Sequence, residues 1–109
     1  MNKLRVGICG WGNVATGLFK TLQTNSVEIK KRSNLEIEII AIGARRDNPK
    51  CDPGNVIIER DIFNIIDHDI DVIVELIGGV DVARDLILKA LNAKKHVVTA
   101  NKALSLIHI

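Results

Sequence analysis

A glycine-rich turn near the start of the sequence has the residue types and spacing of a phosphate-binding turn. Gly10, Gly12 and Ala15 fit the pattern G-x-G-x-x-(G/A), between a short apolar segment and a stretch with helical spacing. In this pattern the first glycine permits a tight turn, the second leaves room for a pyrophosphate, and the third small residue lets helix and strand pack closely. Backbone N–H groups at Asn13 and Val14 would face the phosphates. The turn predicts a dinucleotide site; the alternative is a glycine turn without a ligand.

A second group of candidate residues follows the second predicted strand. An acidic residue at this place binds the ribose hydroxyls of NAD, whereas an arginine accommodates the 2′-phosphate of NADP. The sequence has Gly43 and Ala44, then Arg45 and Arg46, then Asp47. Because guanidinium groups make bidentate contacts to phosphate, the arginine pair predicts NADP(H). Asp47 leaves NAD(H) open, and a solvated basic loop is the alternative for the two arginines.

The elements that must position these residues alternate along the chain. Short apolar runs predict four strands, and helical spacing predicts the helices between them. The strands are expected at residues 3–9, 35–42, 71–77 and 96–99, with a brief extended piece at 56–58. The helices are expected from Val14 into the polar stretch 24–34, over 61–66, and from Val82 to Lys94 and Lys95. Such connections force a parallel sheet, so the sequence predicts an α/β, Rossmann-type βαβ dinucleotide-binding domain.

Two residues within these elements have both a structural and a functional explanation. Trp11, inside the glycine turn, could cover a cofactor or cap the turn. Glu75 is a carboxylate within an apolar strand; it could accept hydrogen bonds from nearby backbone N–H groups or orient the following loop, and the structural role is the expected one.

The composition excludes several other classes of protein. The chain has 109 residues, 47% hydrophobic and 26% charged, which fits one soluble globular domain. No apolar run approaches the ~20 residues of a membrane helix, so we expect a cytoplasmic protein without a membrane partner. A net charge of +2 and 3% aromatic residues argue against nucleic-acid binding. Cys9 and Cys51 lack the spacing of a zinc or redox pair, so no metal site is expected, and Cys9 is interpreted as a small core residue.

Two further segments of the sequence are VELIGG at 74–79 and HVVTANKAL at 96–104. Together with the glycine turn and the arginine pair, they make the sequence resemble homoserine dehydrogenase in its monofunctional bacterial form, from Lys3 to Leu104. Few other dinucleotide-binding proteins carry both VELIGG and HVVTANKAL at this spacing. The resemblance implies NAD(P)-dependent interconversion of L-homoserine and L-aspartate 4-semialdehyde, on the route to threonine and methionine.

The resemblance also implies roles for individual residues. Residues Gly12, Asn13 and Val14 contact the cofactor, Arg45 or Arg46 receives the NADP phosphate, Gly78 and Gly79 lie beside the cofactor, and Lys102 lies near the nicotinamide and the substrate. The segments at 78–79 and 100–102 follow the carboxyl ends of predicted parallel strands, where ligands bind in open α/β sheets. For Lys102 the alternative is an exposed loop lysine.

Members of the family continue into a substrate and dimerisation domain that supplies the catalytic lysine, the acidic residues that hold homoserine and a metal site. We therefore expect a partial cofactor domain at 1–104, incomplete at its C-terminus, with no catalytic residue and no dehydrogenase activity of its own, and a homo-oligomeric full-length enzyme. One frame of a common transposase adapter encodes LSLIHI, so residues 105–109 are expected to be a non-native tail. The alternatives are another reductase with the same opening, such as a dihydrodipicolinate or semialdehyde reductase, and a regulatory NAD(H)- or ATP-sensing module.

Overall fold

The computed structural model describes residues 2–77 and 81–99, which form a five-stranded parallel sheet with helices on both faces. In chain order the elements are β1 (Asn2–Cys9), α1 (Asn13–Thr24), α2 (Ser26–Ser33), β2 (Leu35–Gly43), β3 (Ile57–Glu59), a 3₁₀ helix (Ile62–Asp67), β4 (Val72–Glu75), α3 (Asp81–Asn92) and β5 (His96–Thr99). The expectations for Gly78, Gly79, Lys102 and the tail at 105–109 lie outside the described residues.

The order of the strands across the sheet is β3-β2-β1-β4-β5. From β1 the chain moves outward to β2 and β3, then returns to the other side of β1 as β4 and β5. The strand order therefore reverses between β1 and β4, and a crevice forms at the carboxyl ends of these two strands. This topology confirms the predicted Rossmann-type fold, and it makes the carboxyl edge of β1 and β4 the place to search for a ligand site.

Two cores pack against opposite faces of the sheet. On one face, Val6 and Ile8 of β1 pack with Ala15 and Phe19 of α1. On the other face, Cys9, Ala41 and Ile73 pack with Leu86 and Ala90 of α3 and with Ile65 of the 3₁₀ helix. Alternate residues of β1 thus serve different cores, as the two-residue period of a strand requires.

The structure refines several of the predicted boundaries. The polar stretch 24–34 contains a separate helix, α2, and α3 ends at Asn92 rather than at Lys94 and Lys95. The extended piece expected at 56–58 is the edge strand β3. The helix expected at 61–66 is a 3₁₀ helix, and the Asp61 side chain caps its amino end by accepting from the Phe63 N–H at 3.1 Å. The strand predicted over 71–77 ends at Glu75. Beyond the strand, the Ile77 N–H donates to the Glu75 side chain. None of the described helices is long and apolar enough to span a membrane.

Candidate cofactor-binding site

Gly10 makes the turn out of β1 in a conformation that favours glycine. Its φ is +102°, and a Cβ at this position would lie 2.8 Å from the carbonyl oxygen of Leu76. Its N–H donates to the Gly43 carbonyl at 2.8 Å, so the turn is tied to the end of β2. The backbone after β1 therefore runs directly against the segments that follow β2 and β4, which is the close approach that the first glycine of the motif allows.

Gly12 is the N-cap residue of α1 and leaves the amino end of the helix open. A Cβ added there would meet nothing within 4 Å. No side chain caps the helix, and the described first turn carries no acidic residue that would repel an anion. Asn13 and Val14 are exposed, whereas Ala15 is buried against the sheet. The predicted arrangement of open N–H groups and a small packing residue is therefore present, and it suits a phosphate group.

The ring of Trp11 belongs to the protein core. It is 9% exposed and packs edge-to-face on Phe19 of α1, with ring centroids 5.4 Å apart. Its carbonyl oxygen accepts from the Asn48 side-chain amide at 3.1 Å. Of the two roles open to Trp11 from the sequence, the observed contacts are those of a residue that anchors the turn.

The basic loop after β2 presents two guanidinium groups at the carboxyl edge of the sheet. Arg45 and Arg46 are exposed, and neither forms a hydrogen bond or an ion pair with any part of the chain that the structure describes. Asp47, in contrast, binds the guanidinium of Arg60, which also donates to the Ala44 carbonyl at 3.2 Å. Two cations at this strand end are thus available to an anion, while the carboxylate of Asp47 is engaged.

Arg60 is a basic residue of the site that the sequence analysis missed. It follows β3 directly and therefore lies at the same carboxyl edge as the arginine pair. The signal was present in the apolar piece at 56–58: a third parallel strand places the residue after it beside the end of β2. Only a firm assignment of that strand would have placed Arg60 there.

Glu75 joins the carboxyl ends of β4 and β5. The residue has 0% exposure, and its two oxygens accept from the Ile77 N–H at 2.5 Å and from the Thr99 hydroxyl at 2.6 Å. Glu75 therefore accepts from a nearby backbone N–H, as one of the two interpretations of the sequence expected. Cys9, Glu75 and Thr99 lie side by side across three strands. Burial, and to a lesser extent the charge of Glu75, raises the pKa of the Cys9 thiol to about 12, so Cys9 is an inert core thiol as expected.

A comparison with protein families settles what kind of domain this is. A family model described as "Homoserine dehydrogenase, NAD binding domain" matches residues 10–106. The chain belongs to this family. As a homoserine dehydrogenase NAD-binding domain, it takes a nicotinamide dinucleotide as its cofactor. Within the described residues, no group of three or more His, Cys, Asp or Glu side chains could hold a metal ion.

Whole proteins with similar sequences carry the same family name. The chain is 51% identical to a homoserine dehydrogenase of Pseudomonas aeruginosa over 99% of its own length and 25% of the relative's. It is 42% identical to that of Methylobacillus glycogenes over 95% of its length and 26% of the relative's. The chain thus spans about a quarter of the length of these relatives.

Solved structures agree with the sequence comparison. A homoserine dehydrogenase from Thiobacillus denitrificans superimposes with a TM-score of 0.86 at 38% identity, covering 95% of this chain and 25% of that one. One from S. aureus superimposes with a TM-score of 0.83 at 34% identity, covering 94% of this chain and 27% of that one. The fold of the domain is therefore that of the cofactor-binding part of these enzymes.

Proposed function

We propose that this domain is the cofactor-binding part of an enzyme that interconverts L-homoserine and L-aspartate 4-semialdehyde with NADP(H). The observation that carries the proposal is the position of the glycine turn. Gly10, Gly12 and Ala15 lie where the strand order reverses, in a chain whose family is that of homoserine dehydrogenase cofactor domains. The substrate, the reaction and the catalytic residues belong to the whole protein, of which the matched relatives have about four times this length.

The pyrophosphate is assigned to the amino end of α1. The N–H groups of Asn13 and Val14 bind its oxygens, and Gly12 lets them approach the backbone. The ends of β1 and β4 would hold the nicotinamide half of the cofactor. We assign Gly78 and Gly79 to the wall beside it, and Lys102 to the space between nicotinamide and substrate, because the same positions are implied by the family resemblance.

The preference for NADP(H) over NAD(H) rests on three side chains at the end of β2. Arg45 and Arg46 have no partner among the described residues and are free to bind a 2′-phosphate. Asp47 is the residue that would bind ribose hydroxyls in an NAD site, and its carboxylate is bound by Arg60. An engaged carboxylate is a weaker acceptor for ribose, so the loop favours a phosphate.

The chemistry divides between cofactor and protein. When bound, the nicotinamide would supply hydride transfer to or from the carbon that carries the alcohol in homoserine and the aldehyde in the semialdehyde. The described residues of this chain hold the nucleotide and orient it, and positioning of this kind can supply a large part of a rate enhancement. The group that exchanges a proton with the substrate oxygen is assigned to the region outside this chain.

The test is a steady-state assay of the full-length protein with homoserine and either NADP or NAD. We expect homoserine-dependent reduction of NADP. The double substitution Arg45→Ala/Arg46→Ala should raise the KM for NADP about 10- to 100-fold and leave that for NAD nearly unchanged, because one charge-assisted contact to the phosphate contributes about 1.5–3 kcal/mol. Lys31→Ala/Arg32→Ala is the control, since it removes two exposed charges from the end of α2.

Three outcomes would contradict the proposal in different ways. Equal effects of the two double substitutions would reject the phosphate role of the arginines. Binding of cofactor without any turnover of homoserine would favour the nucleotide-sensing module over the enzyme. Turnover of another aldehyde or imine substrate, but not of homoserine, would favour a related reductase.

The family resemblance further leads us to propose a cytoplasmic, homo-oligomeric full-length enzyme without a nucleic-acid or membrane partner. Fractionation of cells and light scattering of the purified protein test location and assembly. A monomeric active enzyme would contradict the second part.

A further inference from the structure

A buried carboxylate at the end of β4 needs a physical explanation. The neighbouring position in the same strand that faces the same core is Ile73, and an apolar side chain would also fill the place of Glu75. A carboxylate removed from water costs several kcal/mol unless hydrogen bonds replace its hydration. Charged residues are almost never fully buried without partners. Glu75 is fully buried, so its partners indicate what the carboxylate does.

Its two partners lie in different parts of the sheet edge, one just after β4 and one at the end of β5. One oxygen accepts from the Ile77 N–H at 2.5 Å, within the segment that leaves β4. The other accepts from the Thr99 hydroxyl at 2.6 Å, at the last residue of β5. Hydrogen bonds to an ionised carboxylate are charge-assisted and about twice as strong as neutral ones, and the Thr99 distance lies in the range of such O–H···O bonds. One rigid group therefore holds the ends of β4 and β5 at a fixed separation.

The contacts of the next residue connect this pair to the glycine turn. Leu76 donates its N–H to the Cys9 carbonyl at 2.8 Å. Its carbonyl oxygen lies against Gly10, 2.8 Å from where a Cβ on that glycine would be. Residues 75–77 thus touch the pyrophosphate turn on one side and the end of β5 on the other. In sequence, Ile77 immediately precedes Gly78, and Thr99 lies three residues before Lys102.

We propose that Glu75 is a positioning residue of the enzyme, whose bonds to Ile77 and Thr99 set the spacing of the β4 and β5 ends that flank the nicotinamide. The inference rests on the proposed function for its catalytic meaning. Glu75 is fully buried, and we assign it no contact with cofactor or substrate. It acts through the backbone at 76–77 and through Thr99, and it fixes the distance over which hydride transfer must occur.

Thr99→Val is the most direct variant, since it removes the hydroxyl and keeps the shape of an exposed edge-strand residue. We expect kcat to fall about 10- to 100-fold with the KM for NADP changed less than about threefold, because small misplacements in a reacting pair cost this much. Thr99→Ser, which restores the hydroxyl, should recover most of kcat. Hydride transfer should become slower than product release, so the kinetic isotope effect with deuterated substrate should increase.

Glu75→Gln provides a second, independent variant. The amide has the same shape, can accept from Ile77 with its oxygen, and can donate to the Thr99 hydroxyl with its nitrogen. It should therefore retain kcat within about threefold, whereas Glu75→Met, which can make neither bond, should lose as much as Thr99→Val.

Asp71→Ala is the matched control for a purely structural effect. Asp71 also uses a carboxylate oxygen to join two strands, accepting the Arg5 N–H at 2.9 Å, but at the amino edge of β1 and β4. Alanine removes this acceptor, so the variant should lower the melting temperature and leave kcat unchanged. If Thr99→Val leaves kcat unchanged, or if Asp71→Ala lowers kcat as much, Glu75 does not position the reacting groups and the inference is wrong.

Hydrogen–deuterium exchange of the cofactor-bound protein gives a readout that does not depend on turnover. Thr99→Val should accelerate exchange at 72–77 and 96–99, and Asp71→Ala should accelerate it near 3–6. Unchanged exchange at 72–77 in Thr99→Val would overturn the inference. A wild-type protein without homoserine-dependent turnover would reject the proposed function, and the exchange result would still decide whether Glu75 holds the two strand ends together.

Discussion

The side-chain amide of Asn48 donates to the backbone carbonyl of Trp11 at 3.1 Å, and so joins the loop after β2 to the glycine turn after β1. These are the two segments assigned to the 2′-phosphate and to the pyrophosphate of one cofactor. Their relative position sets whether both phosphate sites can be filled at once. The hydrogen bond therefore contributes to binding although Asn48 itself is not assigned a contact with the cofactor.

Replacing Asn48 should weaken cofactor binding moderately. Asn48→Ala removes the hydrogen bond to Trp11, which contributes about 1 kcal/mol, and also the one that Asn48 Oδ1 accepts from the Lys50 N–H at 3.0 Å within the loop. The Kd for NADPH should rise about five- to tenfold. Fluorescence of Trp11, the single tryptophan of the chain, reports the titration from inside the turn. Asn55→Ala, an exposed change in the same loop, should leave the Kd as it is. Equal affinities for the two variants would show that the link has no role in binding.

Removing the charge of Asp47 should strengthen binding of NADPH but not of NADH. Its carboxylate lies beside the arginine pair and would repel a 2′-phosphate, an interaction reduced by solvent and salt. Asp47→Asn keeps an oxygen for Arg60 and should lower the Kd for NADPH about three- to tenfold at low salt. The control is Asp52→Asn, which removes a charge that caps the Gly54 N–H in the same loop. A similar gain in affinity for NADPH in both variants would mean that binding depends only on the net charge of the loop.

Gly10→Ala should destabilise the domain whether or not cofactor is present. The added methyl group would sit 2.8 Å from the Leu76 carbonyl oxygen, on a residue with φ of +102°. Strain of this kind costs about 1–3 kcal/mol. Denaturant unfolding of Gly10→Ala measures this loss of stability. Gly17→Ala is the control, because Gly17 lies within α1 with open space around it and alanine there favours the helix. Equal stability of Gly10→Ala and wild type would contradict the described turn.

The raised pKa of Cys9 predicts how stability depends on alkaline pH. The folded state keeps the thiol protonated up to its pKa of about 12, whereas the unfolded chain releases the proton near pH 9. The unfolded state then binds fewer protons, so the free energy of unfolding falls between these pH values, by at most about 1.4 kcal/mol per unit for this group. The stability difference between wild type and Cys9→Ala should therefore shrink above about pH 9. A constant difference would show that the Cys9 thiol is not protected by burial.

The features that the sequence predicted are those encoded within one segment. The glycine turn is recognised from six consecutive residues, and each strand or helix from its own periodicity. Arg60 was missed because β3 has only three residues, too few for a strand signal that would locate the residue after it. The bonds of Asn48 to Trp11 and of Glu75 to Thr99 join residues 37 and 24 positions apart, and depend on which strands are neighbours and in what register. A single sequence does not contain the register, so these links required the structure.

The central claim is that the turn from Gly10 to Ala15 binds the cofactor pyrophosphate. Titration of Trp11 fluorescence with NADPH in wild type, Gly12→Val and Gly17→Ala tests it most directly. Gly12 has an extended backbone, φ −91° and ψ −163°, and open space around it, so valine fits the fold but obstructs the phosphate. We expect saturable binding in wild type and Gly17→Ala, and at least a tenfold weaker Kd in Gly12→Val, about 1.4 kcal/mol or more. Wild-type affinity in a folded Gly12→Val protein would contradict the claim.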